Sequence, residues 1–112
     1  MHVAQKIGSW NTRDNIGLVV GATHPEELVH IREMVPSASI LIPGIGAQGG
    51  DLESAILAGT DKSGEMAIIN SSRSILYASG GRDFAEKARM NTLELRNAIN
   101  HIRNKKKDDK NT

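Results

Sequence analysis

The chain has 112 residues, enough for one small domain with a modest core and too few for two. Hydrophobic residues make up 38% and charged residues 24%, the proportions of an ordinary globular protein and not of a disordered or membrane-embedded one. With 14 basic and 13 acidic residues the formal charge is +1, and aromatics are 3%, so no nucleic-acid partner is expected: the charge gives no attraction to phosphate backbone and there is little to stack on bases.

No apolar run approaches the roughly 20 residues that a transmembrane helix needs, so no membrane partner is expected. The opening Met1-His2-Val3-Ala4-Gln5-Lys6-Ile7 lacks the basic head, apolar stretch and cleavage site of a secretory signal. The absence of cysteine excludes disulfide scaffolds, thiol chemistry and zinc ribbons, and fits the cytoplasm. Glycine is frequent, with 11 residues, while Trp10, Tyr77 and Phe84 are the only aromatics, which suggests glycine-rich loops on a thin core.

In chain order, Val3, Ala4, Ile7 and Trp10 carry the spacing of a short amphipathic helix or the end of one. After a polar linker over 11–15, Ile16-Gly17-Leu18-Val19-Val20-Gly21-Ala22 is a continuous apolar run, as in a parallel strand buried on both faces. Thr23 and Glu26 are spaced as a capping box with Pro25 in the first turn of a helix. Leu28, Ile31, Met34 and Val35 fall on its apolar face, and Pro36 stops it. A second strand, Ser39 to Pro43, leads into the glycine-rich loop 44–50. Asp51 is placed to cap a helix over 52–58, with Gly59 as its C-terminal cap. After a turn over 60–64, a third strand, Met66 to Asn70, runs into Ser71-Ser72-Arg73-Ser74. A last helix spans about 83–103, with Phe84, Ala88, Leu95, Ile99 and Ile102 on its buried stripe, and 105–112 reads as a polar, frayed tail. Strands alternating with helices predict an α/β fold of parallel strands joined by right-handed crossovers.

The features that carry chemistry lie after the strands' carboxyl ends, where parallel α/β folds bind ligands. Gly44-Ile45-Gly46-Ala47-Gln48-Gly49 satisfies G-x-G-x-x-G between a strand and a helix, but a dinucleotide site wants an acidic residue at the end of the next strand, and Asn70 stands there. A phosphate site fits better. Glycines let backbone N–H groups face an anion, Gln48 adds an amide donor, and the helix starting near Asp51 contributes its positive end. Arg73 offers a planar fork of donors at the following strand end, with Ser71 and Ser72 beside it. Two consecutive strands converging on one phosphate is the arrangement of many (β/α)8 barrels. The bland readings are a tight turn for the glycines and a surface ion pair for the arginine; their joint placement favours phosphate. His2, His24, His30 and His101 lack metal-ligand spacing and read as exposed, so no metal is expected. Asp51 and Glu53 read as cap and dipole partners, and Ser71, Ser72, Ser74 and Tyr77 lack a base for nucleophilic catalysis.

Three segments carry a resemblance. They are Gly17-Leu18-Val19-Val20-Gly21-Ala22-Thr23 with Pro25-Glu26-Glu27-Leu28, then Leu41-Ile42-Pro43-Gly44-Ile45-Gly46-Ala47-Gln48-Gly49-Gly50-Asp51, then Ile69-Asn70-Ser71-Ser72-Arg73. In that order they resemble the C-terminal part of orotidine 5′-phosphate decarboxylase, particularly its longer bacterial type. The resemblance runs from Val3 to Arg103. It implies a (β/α)8, or TIM, barrel that converts orotidine 5′-monophosphate to uridine 5′-monophosphate (UMP) in pyrimidine biosynthesis, usually as a homodimer, without metal or cofactor. The strands here correspond to the sixth, seventh and eighth, so residues 1–104 would form an incomplete barrel and 105–112 a tail.

The same resemblance assigns Gln48 and Arg73 to the substrate phosphate, with backbone donors from Ser72 and Gly49 alongside Arg73's own. Pro43 is placed near the pyrimidine. The family's catalytic lysine sits in a D-x-K-x-x-D segment on early strands, and no such segment occurs here: Asp61-Lys62 lies in a turn. The isolated chain is therefore expected to be inactive, and to associate with itself or with a complementing N-terminal portion. The alternative is a stand-alone phosphate- or nucleotide-binding module without catalysis.

Overall fold

The structure, a computed structural model, describes residues 2–13, 15–22, 24–45, 52–71 and 75–110, excluding the side chains of 109 and 110. Its elements run α1 (His2–Trp10), β1 (Gly17–Val19), α2 (Pro25–Met34), β2 (Ser39–Ile42), α3 (Leu52–Gly59), β3 (Ala67–Ile69) and α4 (Phe84–Lys110). The predicted alternation is present.

The strands form one parallel sheet in the order β1-β2-β3. Each strand thus neighbours the next in sequence, as in a barrel wall, and the described strands show no reversal of order, the place where a dinucleotide-binding sheet seats its ligand. Because side chains alternate along a strand, register decides which residues share a face. Leu18, Ile40 and Ala67 are register partners in one row, and Ile42 pairs with Ile69 in the next. These residues pack with Leu28 of α2 and with Ala55 and Ala58 of α3, and Leu28, Ile40, Ile42 and Ile56 are fully buried.

The opposite face is only partly covered among the described residues. Val19, Leu41 and Ile68 form the alternate row, in register across all three strands, with Val19 69% and Ile68 59% exposed. This corrects the expectation that 16–22 is buried on both faces: the core lies on one side of the sheet, and the pleat presents every second residue to the other. Among the described residues no strand pairs with the outer edges of β1 and β3, so the sheet is open.

Pro25 begins α2, where a missing N–H costs nothing, and Glu26 and Glu27 complement the dipole of the first turn. The N-cap position is His24, which makes no side-chain capping bond, so the helix starts one residue later than a capping box from Thr23 requires; Thr23 and Asp51, the other predicted cap, lie outside the described residues. Leu28 and Val35 are buried as predicted, whereas Met34 is exposed and Arg32 takes the inward position one turn after Leu28.

Arg32 ties together the end of the sheet where the strands begin. Its Nε donates to the Gly59 carbonyl at 2.8 Å, its Nη1 to those of Val35 (3.1 Å), Pro36 (3.4 Å) and Ala38 (2.6 Å), and its Nη2 to those of Gly59 (2.6 Å) and Met66 (2.9 Å). Burial pushes the guanidinium pKa down and nearby Asp61 opposes this. Met66 stands in the left-handed region at φ 69°, held there because its carbonyl also accepts Ile40 N–H at 2.9 Å.

Gly59 ends α3 within the helix and not as a left-handed cap. A Cβ there would meet Ile42 Cδ1 at 2.5 Å and Leu28 Cδ2 at 3.4 Å, so glycine is required by close helix-to-strand packing.

Helix α4 reaches Lys110, beyond the predicted end at Arg103. Polar residues continue it because they find partners: Arg103 Nε donates to the Gly64 carbonyl at 2.5 Å, and Lys106 Nζ donates to Thr60 Oγ1 at 2.8 Å and to the Leu57 carbonyl at 3.0 Å. At the other end Phe84 is 61% exposed, not buried as its place on the stripe predicts, while Ala88, Leu95, Ile99 and Ile102 are half-buried. The radius of gyration is 15.3 Å where a compact chain of this length has about 13 Å, in keeping with a helix of 27 residues beside strands of three and four.

Candidate functional site

Strand β2 delivers Pro43, half-buried, directly beyond its last residue. Gly44 follows at φ 89°, a backbone that favours glycine, and the chain turns there so that Ile45 drops back into the core at 3% exposure. On the neighbouring strand, Asn70 N–H extends the sheet ladder to the Ile42 carbonyl at 3.1 Å. Ser71 comes next, is 6% exposed, and donates its hydroxyl to the Ile45 carbonyl at 2.9 Å.

The loops after β2 and β3 therefore leave the same edge of the sheet, the carboxyl edge, from roots that are hydrogen-bonded to each other. Pro43 is where the sequence reading puts it, at the mouth of β2. Gln48 and Gly49 of the first loop and Ser72 and Arg73 of the second lie outside the described residues. Ser71 does not stand as a donor for a ligand: its hydroxyl is engaged with Ile45.

Arg32, which the sequence reading did not single out, is a scaffold residue at the opposite end of the strands. The signal was available: an arginine four residues after Leu28 on an apolar face must either snorkel or be paired. A groove of about 670 Å³ lies at that end, lined by Val29, Arg32, Glu33, Leu57, Thr60 and Asp61 among others. Its guanidinium is committed to carbonyls and Asp61 Oδ1 already accepts the Ser63 and Glu65 N–H groups, so the groove is a seam between α2 and α3. The four histidines are exposed, and among the described residues no group of three or more His, Asp or Glu side chains is placed to hold a metal ion. No helix of the described residues is long and apolar enough to cross a membrane.

No family model matches the chain. Individual proteins do. The chain is 54% identical over 101 residues to orotidine 5′-phosphate decarboxylase of Dehalococcoides mccartyi, a match covering 90% of this chain and 37% of that protein. The chain matches a C-terminal portion of orotidine 5′-phosphate decarboxylase. The decarboxylase of Ralstonia pickettii is 54% identical over 95 residues, covering 85% of this chain and 35% of its own length. The chain thus spans little more than a third of the curated decarboxylases it matches.

Solved structures agree. A Leishmania donovani UMP synthase superposes with a TM-score of 0.76 at 41% identity, covering 91% of this chain and 22% of that one. The Leishmania donovani OMP decarboxylase gives 0.72 at 37% identity, covering 91% and 36%. The open three-stranded sheet is the fold of part of a decarboxylase TIM barrel, with an α/β wall left unclosed.

Proposed function

We propose that this chain supplies the phosphate-gripping part of an orotidine 5′-phosphate decarboxylase, the lyase that releases carbon dioxide from orotidine 5′-monophosphate to give UMP in pyrimidine biosynthesis. One observation carries the reading: the loops bearing Gln48 and Arg73 are rooted side by side at the carboxyl edge of adjacent parallel strands, tied by the Ser71 hydroxyl and the Ile45 carbonyl. In this reading Arg73 pairs with the phosphate through its planar fork, Gln48 and the N–H groups of Gly49 and Ser72 complete the donor set, and Pro43 borders the base. Grip on a remote phosphate contributes to the reaction by holding the substrate in place and by driving closure, which is how binding energy away from the reacting atoms lowers a barrier.

No side chain here is assigned to the proton transfer, since the D-x-K-x-x-D segment is absent from the sequence. Activity requires the remaining strands of a barrel. The row of exposed Val19 and Ile68 with half-buried Leu41 between them, and the open outer edges of β1 and β3, are the surfaces on which that wall would close, whether supplied by a complementing N-terminal portion or by self-association. The setting is cytoplasmic, and the reaction uses no metal or cofactor.

A decarboxylation assay tests the reading. The chain alone is expected to bind UMP weakly and to show no turnover, and to gain turnover when mixed with the N-terminal portion of the Dehalococcoides mccartyi enzyme. Turnover by the chain alone would contradict the requirement for missing residues; a mixture that neither turns over nor binds UMP would contradict the assignment.

A further inference from the structure

We propose that Ser71 is a positioning residue for the phosphate site, a role that rests on the reading above and adds a residue to it. Two strands of a parallel sheet are normally held by their main-chain ladder, and here the ladder's last bond at this edge among the described residues is from Asn70 N–H to the Ile42 carbonyl. Beyond it, Gly44 at φ 89° swings the β2 chain out of strand geometry. The Ser71 hydroxyl takes over, donating to the Ile45 carbonyl at 2.9 Å in a setting where both residues are buried.

Ile45 is itself fixed, packed in the core cluster with Ile42, Leu28 and Ala55. The bond therefore ties the start of the β3 loop to a residue that is held in the core. Arg73 is two residues further along the chain and Gln48 three residues beyond Ile45. Two and three residues reach at most about 7 and 11 Å, so the tie sits a short lever arm from both phosphate donors. A hydroxyl turned inward on a carbonyl is positioned to set the separation of two loops and not to touch the ligand.

The test uses the 112-residue chain, with UMP affinity measured by calorimetry and thermal midpoint measured separately. Ser71→Ala is expected to weaken UMP binding about tenfold, the affinity equivalent of one buried hydrogen bond. Ser71→Cys, similar in size and a weaker donor, is expected to fall between the two. In an Arg73→Ala background, Ser71→Ala is expected to change the residual affinity less than twofold, because the serine acts through the loop that carries the arginine.

Parent-like affinity in Ser71→Ala, whatever its thermal midpoint, overturns the proposal, because the bond would then serve stability alone. If Ser71→Ala does not fold, Ser71→Cys decides: weakened affinity sustains the role and unchanged affinity overturns it. A parent chain that folds and fails to bind UMP overturns the phosphate-site reading and this proposal with it, a result distinguishable from a parent that binds equally well with and without the hydroxyl.

Discussion

Replacing Arg32 by methionine, a side chain of similar reach without donors, tests the account of what holds the strand-start end of the sheet together. The guanidinium serves the carbonyls of Gly59, Val35, Pro36, Ala38 and Met66. Val35 and Met66 have second donors, Ala38 N–H at 3.2 Å and Ile40 N–H at 2.9 Å, and the contact to Pro36 is long at 3.4 Å. Gly59 and Ala38 accept no other such bond among the described residues, and both are buried. Each buried acceptor stranded without a donor costs about 1–3 kcal/mol, so the loss for two is about 2–6 kcal/mol. That is a large share of the stability of a small domain. Urea denaturation followed by circular dichroism gives the number directly. Arg32→Lys is expected to recover only part of the loss, since an ammonium cannot span carbonyls contributed by α3, the α2–β2 turn and the start of β3. A loss below about 1 kcal/mol in Arg32→Met would refute the reasoning, because it would mean that water or a small backbone shift satisfies both carbonyls.

Gly59→Ala is expected to lower stability by about 1–3 kcal/mol in the same denaturation assay, because the new methyl would fall 2.5 Å from Ile42 Cδ1 and Ile42 is itself fully buried. Met66→Gly should raise stability by up to about 1 kcal/mol: relief of the left-handed φ of 69°, about 1–2 kcal/mol, exceeds the extra freedom glycine gives the unfolded chain, about 0.5–1 kcal/mol. Asp83 precedes α4 and accepts the Ser79 hydroxyl at 2.5 Å, which holds its carboxyl below the ordinary 3.8. A depressed carboxyl stabilises the fold above its unfolded value and loses that contribution as pH falls through the folded one, so the stability difference between the parent and Asp83→Asn should persist at pH 6 and shrink as pH falls below 3.8 in an acid titration.

The alternation of strands and helices was legible because each carries its own period, and the placement of the loop roots at one edge of the sheet was legible because strands joined by crossover helices run parallel and end together. Burial was less legible. Val19 and Ile68 sit in apolar runs that read as doubly covered strands, yet a run specifies only that a side chain suits burial, not that a second layer exists to bury it. Phe84 fails for the same reason at the end of α4. Gly59 reads as a cap because its position at a helix end suits one, whereas the close approach of Ile42 becomes visible only once α3 lies on β2. Arg32 is the converse case, a charged residue whose partners are all backbone carbonyls and so leave no mark on the sequence. Ser71 reads as one more polar neighbour of Arg73, and its inward turn depends on the kink at Gly44.

The most direct test of the central claim is an amide NMR spectrum of the chain titrated with UMP, with Arg73→Ala as the control. The account predicts dispersed peaks, UMP-dependent shifts centred on Gln48, Arg73 and their neighbours, and loss of those shifts in Arg73→Ala. A dispersed spectrum in which UMP moves nothing, or moves the same peaks in Arg73→Ala, would contradict it.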